Sequence, residues 1–281
     1  MQTISCLIMM YMVFSHPEIT ADAARRALHI FASDLVPTLF PYMVLTRMLF
    51  SKARNPSIWT VVIFSLLGGS PSGASILNAY ASRYPMKRRY LMALCTLTGT
   101  ISPAFLFNTV STWLNSTKMG ILLGTSHYIG AIATSILVYL LPINDESEIS
   151  CIQYSNSEYE TNAISASIIP ILGVGGCLTF FSVLSAAINT LLFHTSGMHT
   201  ALTHAILEIS GGVKELCKYI TLKASASPLA IAFSIGFTGL SILSQNAMFL
   251  MKQRISVAEL AGLGILRGMV TTGITWVLIN L

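Results

Sequence analysis

The sequence predicts an all-α, polytopic integral membrane protein with two internal repeats, each containing a re-entrant hairpin and a discontinuous helix. Three observations carry that expectation. Of 281 residues, 53% are hydrophobic and only 10% charged, whereas a soluble domain carries about 25% charged residues. Apolar stretches are interrupted by Gly, Ser and Pro and flanked by basic residues at both ends. A short motif also recurs 166 residues further along the chain. Composition of this kind excludes a cytosolic enzyme, a nucleic-acid binder and a disordered scaffold. The net charge of +5 fits basic residues gathered in cytoplasmic loops, so no nucleic-acid partner is expected; the lipid bilayer is.

The elements follow in order. Residues 1–33 form an N-terminal membrane segment (Ile4 to Phe14) and an interfacial amphipathic helix, with Ala24, Leu28 and Phe31 on its apolar face. The first repeat occupies 34–142. It opens with an apolar run from Asp34 to Phe50 whose start is broken by Pro37 and Pro41. Ser57 to Ser82 is interrupted at Gly68–Ser75 and followed by Arg83, Lys87, Arg88 and Arg89. Positive charge at both ends argues for a hairpin that turns and returns rather than a span. Tyr90 to Val110 is interrupted at Thr98–Pro103 and reads as a discontinuous helix, and Gly120 to Leu141 as an unbroken span.

An acidic polar linker, 143–163, holds five of the eleven acids and leads into the second repeat, 164–281. Ile164 to Phe193 spans. Ser227 to Met251, broken near Gly236–Ser241 and bracketed by Lys223, Lys252 and Arg254, reads as the second hairpin, and Val257 to Ile279 as the last span. Gly73–Leu77 aligns with Gly239–Leu243, and at the same offset Arg88 meets Arg254. Whether the short segment 199–213 crosses decides if the repeats are parallel or inverted.

Broken helices expose unpaired N–H groups and the positive end of a helix dipole, so they bind anions without a buried cation. Paired breaks are the best sequence-level pointer to a transporter site. The candidate substrate-binding residues are Ser70, Ser72, Gly73, Ser75 and Asn78 in the first break, and Ser102 in the discontinuous helix. Thr238, Ser241, Gln245 and Asn246 form the analogous set in the second break. Glu208, in the apolar run His204–Gly212, is an intramembrane carboxylate. It reads either as a proton, cation or substrate contact or as an interfacial acid paired with Lys214 or Lys218 and capping nothing. The histidines His127, His194, His199 and His204 read as packing or interfacial groups. Five dispersed cysteines, Cys6, Cys95, Cys151, Cys177 and Cys217, show no ligand or disulfide pattern. No cofactor, metal site or enzyme activity is expected: Ser72-Gly73 has no base placed for it, and no metalloprotease, P-loop or dinucleotide motif occurs.

Leu39-Phe40-Pro41, Gly69–Ala74 and Ser102–Phe105 resemble the first half of the YlbJ (SpoVV) family of sporulation integral membrane proteins. His127-Tyr128, Phe180–Leu184, Leu207–Gly212 and Gly236–Ser241 resemble its later stretches, in the same order. The resemblance implies two gate-type repeats similar to those of nucleoside-recognition membrane proteins. It also implies transport of dipicolinate, a small planar dianion, across the outer forespore membrane during endospore formation. Carried over, the candidates are again Gly69–Ser75, Glu208 and Gly239–Gln245. The chain departs from the family at Ser70, where an aromatic is commoner, and in its basic loop at 83–89. The other readings are a non-transporting spore-assembly protein and a nucleoside carrier. A coupling ion and a homo-oligomer are compatible with each.

Overall fold

A computed structural model describes residues 2–52, 56–142, 162–192, 197–222 and 228–281. Most of the acidic linker, with Cys151, His194 and Lys223, lies outside them. The described residues form fourteen α-helices with short π and 3-10 segments, and no strand.

The chain begins with α1 (Gln2–Ser15) and α2 (Pro17–Ile30). A π-helical turn, Phe31–Leu35, carries α2 into α3 (Val36–Lys52), which holds Pro41 within it. The chain bends by 49° between these helices. α2 packs on α9 (Ala163–Leu192). Its buried stripe is Thr20, Ala23 and Ala27, while Leu28, expected on the apolar face, is exposed. α9 continues through Pro170 without a break.

The first hairpin forms as expected. α4 (Ile58–Gly68) starts at Ser57, whose side chain caps Trp59 N–H, and ends at Gly69 with φ +64°. α5 (Ser72–Ala81) begins three residues on and packs along α4. α6 (Arg88–Thr98) follows and stops at Gly99. After the irregular residues 99–103 the chain resumes as a π-helical stretch, Ala104–Val110, and a short α7 (Ser111–Leu114). α8 (Thr117–Leu140), capped by Ser116, is continuous.

The second hairpin is not where the charges placed it. α10 (Met198–Leu207) and α11 (Ile209–Leu222) are joined through Glu208 alone and pack along each other. Residues 199–213 therefore do not cross as one helix; they are an arm and the tip of a hairpin. A Cβ on Gly212 would fall 2.1 Å from the Ala205 backbone, so this glycine lets the two arms close. In contrast, α12 (Pro228–Phe237) and α13 (Gly239–Leu250) do not pack along one another, and Pro228–Gln253 runs on as one apolar stretch long enough to span. The two left-handed residues at the junction, Thr238 with φ +70° and Gly239 with φ +74°, deflect the helix without reversing it.

The 166-residue register thus aligns a hairpin arm, α5, with half of an interrupted span, α13. In three dimensions the order hairpin, interrupted helix, unbroken helix occurs over 58–140 and again over 198–280. The unbroken members, α8 and α14 (Val257–Asn280), are both 24 residues long and pack together. α6 packs on α8, and α12 on α14.

Four helices among the described residues are long and apolar enough to cross a membrane: Thr117–Leu140, Ala163–Leu191, Pro228–Gln253 and Val257–Asn280. The bent pair of α2 with its π turn and α3 would add a fifth. Large apolar side chains cover the outside, including Trp59, Leu140, Ile169 and Trp276. Such a surface suits hydrocarbon rather than water.

Candidate substrate site

Non-helical backbone inside a membrane survives only where protein groups satisfy it. At the first interruption, Ser70 N–H donates to Thr100 O (2.7 Å), tying the tip of the first hairpin to the break in the next helix. Ile101 N–H donates to Nε2 of His127 (3.2 Å), and Tyr128 O–H donates to Ile101 O (2.8 Å). His127 is therefore no interfacial histidine; it is fully buried and serves the break. The fit is close. A Cβ on Gly69 would lie 2.4 Å from Ser102 N, and one on Gly73 would lie 2.1 Å from Thr98 O.

The second interruption is held by Arg267, a residue the sequence reading passed over. Its side chain is 3% exposed on α14. Nε donates to Gly236 O (2.7 Å), Nη1 to Thr96 O (2.8 Å) and Nη2 to Thr238 Oγ1 (3.1 Å). Gly236 and Thr96 sit at the C-terminal ends of α12 and α6, where unpaired carbonyls and the dipole favour a cation. One guanidinium thus closes both interrupted helices. A lone arginine in the apolar run Ile265–Val270 was the available signal, since intramembrane charges are costly and seldom idle.

Both hairpin tips, the first interruption and α13, the helix that restarts after the second, meet at a cavity of about 350 Å³, within the range of small-molecule sites. The first hairpin contributes Ser70, the first interruption Ser102, the second hairpin Glu208 and Ser210, and α13 Ser241 and Gln245. Tyr42, Phe105, Asn108 and Thr109 complete the polar and aromatic lining with Asp34, which the sequence reading also passed over as a site residue. Among the described residues, the acidic or basic side chains on the lining are the carboxyl groups of Asp34 and Glu208.

Of the eleven expected site residues, Ser70, Ser102, Glu208, Ser241 and Gln245 therefore line one cavity. The rest stand behind it. Asn246 Nδ2 donates to Ser70 Oγ (3.1 Å) and so positions a lining hydroxyl. Gln245 donates to Ser241 Oγ (3.2 Å). Thr238 accepts from Arg267, and Asn78 accepts from Gln253 Nε2 (2.9 Å), joining α5 to the end of α13. Gly73 is packed against α6, Ser72 is buried in the hairpin, and Ser75 lies further along α5, off the lining.

Glu208 is 2% exposed. Its Oε1 accepts from Ser210 N–H (2.8 Å) and its Oε2 from Gly211 N–H (2.7 Å), so the carboxylate caps the start of α11. The reading of Glu208 as an interfacial acid that caps nothing is thereby overturned.

A comparison with characterised proteins meets this geometry at one point. The chain is 21% identical to the sporulation integral membrane protein YlbJ of Bacillus subtilis (strain 168), over 84% of this chain and 71% of that protein. The chain is similar to YlbJ over most of its length. No protein-family model and no solved structure matches it. The relationship and the apolar helices make it a multi-pass integral membrane protein. Four of the motifs that carry the YlbJ resemblance lie at or directly behind the cavity. Gly69–Ala74 forms the first hairpin tip and Ser102–Phe105 the restart after the first interruption. Leu207–Gly212 is the second hairpin tip, and Gly236–Ser241 holds the second interruption.

Proposed function

We propose that the chain is a membrane transporter or channel for a small organic anion, with dipicolinate in endospore formation as its substrate. The observation that carries this reading is the convergence of two hairpin tips, one helix interruption and the helix restarting after the other on one cavity. That arrangement gives a site near the middle of the membrane, formed where two sets of elements meet. Read as two repeats, 58–140 and 198–280 rock against each other around the cavity, opening it to either side. Hydroxyls of Ser70, Ser102 and Ser241 and the amide of Gln245 supply donors for carboxylate oxygens. The name of YlbJ supports a sporulation role, which we extend to this chain.

The lining also sets a condition. Two like unit charges about 5 Å apart repel by about 3 kcal/mol at an effective dielectric constant near 20. A dianion beside Glu208 is therefore bound well only when that carboxyl is protonated.

A second reading, a nucleoside carrier, is favoured by one observation: Asp34, Glu208 and Gln245 offer acceptors to sugar hydroxyls. The test compares dipicolinate content in spores carrying wild type, Ser70→Leu or Ser241→Leu at matched membrane levels. Both substitutions should lower it at least tenfold. Normal content in both would point to a non-transporting assembly role. Uridine uptake into proteoliposomes that dipicolinate does not compete with would favour the nucleoside reading.

A further inference from the structure

The second hairpin carries a chain of titratable groups that runs from the cavity to its charged end. Glu208 lines the cavity. One turn earlier on α10, His204 places Nε2 3.9 Å from Glu208 Oε2, and its Nδ1 lies 3.2 Å from Oε1 of Glu215 on α11. Exposure rises along this order, from 2% at Glu208 to 19% at His204 and 41% at Glu215. Glu215 lies seven residues beyond Glu208, about 10 Å along a helix axis. It sits between Lys214 and Lys218, whose charges mark the watery end of the hairpin.

The imidazole has been given room to stand there. A Cβ on Gly211 would fall 2.6 Å from Cε1 and 2.7 Å from Nε2 of His204. Any side chain at 211 would push the ring away from the carboxylate. Other charges that face the ring are few. Arg26 of α2 acts on it through space and is itself paired with Asp22. The other helices packed on α10, namely α9, α12 and α13, contain no carboxylate, histidine or cation.

We infer that Glu208, His204 and Glu215 form a proton relay through which the cavity carboxyl equilibrates with water at the charged end of the hairpin. A proton taken up by the Glu215 carboxylate passes to Nδ1 of His204, breaking an O–H bond and forming an N–H bond. The imidazolium then gives its Nε2 proton to Oε2 of Glu208, and the ring is left as the neutral Nδ1–H tautomer. This last step requires the Glu208 carboxyl to swing about 1 Å toward the ring to reach hydrogen-bond distance. The reverse path discharges Glu208 and restores the ring. The relay rests on the cavity being the transport site, and it makes that site responsive to the pH on one side of the membrane.

The test uses the full chain in proteoliposomes with labelled dipicolinate, measuring counterflow at symmetric pH and accumulation under a pH gradient. In wild type, acid at the hairpin's charged end should raise accumulation at least fivefold over symmetric pH. His204→Gln should keep counterflow within twofold and lose the gradient effect; Glu215→Gln, at an exposed position, should cut that effect severalfold without affecting folding. Gradient-driven accumulation unchanged in both variants overturns the relay, as does wild-type accumulation that ignores the gradient while counterflow proceeds. Wild type with no counterflow at all is a different failure: it removes the transport reading, and the relay with it.

Discussion

Arg267 on α14 donates from Nη1 to the carbonyl oxygen of Thr96, 2.8 Å away at the end of α6, and from Nε to Gly236 at the end of α12. Replacing it with Met keeps the volume and strands both carbonyls. A hydrogen bond to a charged group contributes about 1.5–3 kcal/mol, so Arg267→Met should cost about 3 kcal/mol or more. Arg267→Lys, with no fork to reach both carbonyls at once, should recover less than half of it. Thermal unfolding of the purified protein in detergent measures both.

Gly73 and Gly262 make a matched pair. A Cβ on Gly73 meets Thr98 O at 2.1 Å, and that neighbour is backbone; nothing lies within 4 Å of one on Gly262. Gly73→Ala should destabilise by about 1–3 kcal/mol through overpacking. Gly262→Ala should stabilise by up to about 1 kcal/mol from helix propensity. Equal effects in a detergent stability assay would contradict the close hairpin-to-break packing.

Cysteine labelling tests which residues face the cavity. Cysteines at Ser70 and Ser241 should react with a small charged thiol reagent in inside-out or right-side-out vesicles, and dipicolinate should slow the reaction. A cysteine at Thr238, buried beside Arg267, should stay at least tenfold less reactive. Protection by uridine but not dipicolinate would transfer support to the nucleoside reading.

Glu208 separates stability from charge. Glu208→Ala removes both caps on α11 and should cost about 1–2 kcal/mol. Glu208→Gln retains an acceptor and should cost less, while its uncharged amide admits a dianion at any pH. Dipicolinate binding by Glu208→Gln should therefore lose the pH dependence shown by wild type. Retention of that dependence would place the responsible group elsewhere, with Asp34 the next to test.

Membrane residence was plain in the sequence because it needs only composition and run length. The first hairpin was also legible, since three consecutive residues, Gly69-Ser70-Pro71, must leave the helix for the chain to reverse. The second was not. At Glu208 reversal takes a single extended residue, made possible by missing side chains at Gly211 and Gly212 on the partner arm. The Gly-rich segment around Thr238 has the same composition yet only bends the helix. Local composition marks where hydrogen bonding is interrupted, and the direction of the exit depends on one dihedral angle and on packing across the helices. Charge bracketing misled for the same reason: Lys252 and Arg254 follow an interrupted span as readily as a hairpin. For the site, polar residues beside each break were visible, but their division into lining and support depends on helix phase in three dimensions. Ser70 and Asn246, far apart in sequence, form a pair in which only the serine lines the cavity.

Both oxygens of Glu208 are engaged by the amides of Ser210 and Gly211. A proton on either oxygen turns the carboxylate into a weaker acceptor and so loosens the first turn of α11. Filling the cavity and fraying that turn are then one equilibrium. The amide of Gly211 becomes a gauge of occupancy: its hydrogen exchange should be slowest in the empty, deprotonated protein and quicken as the site loads.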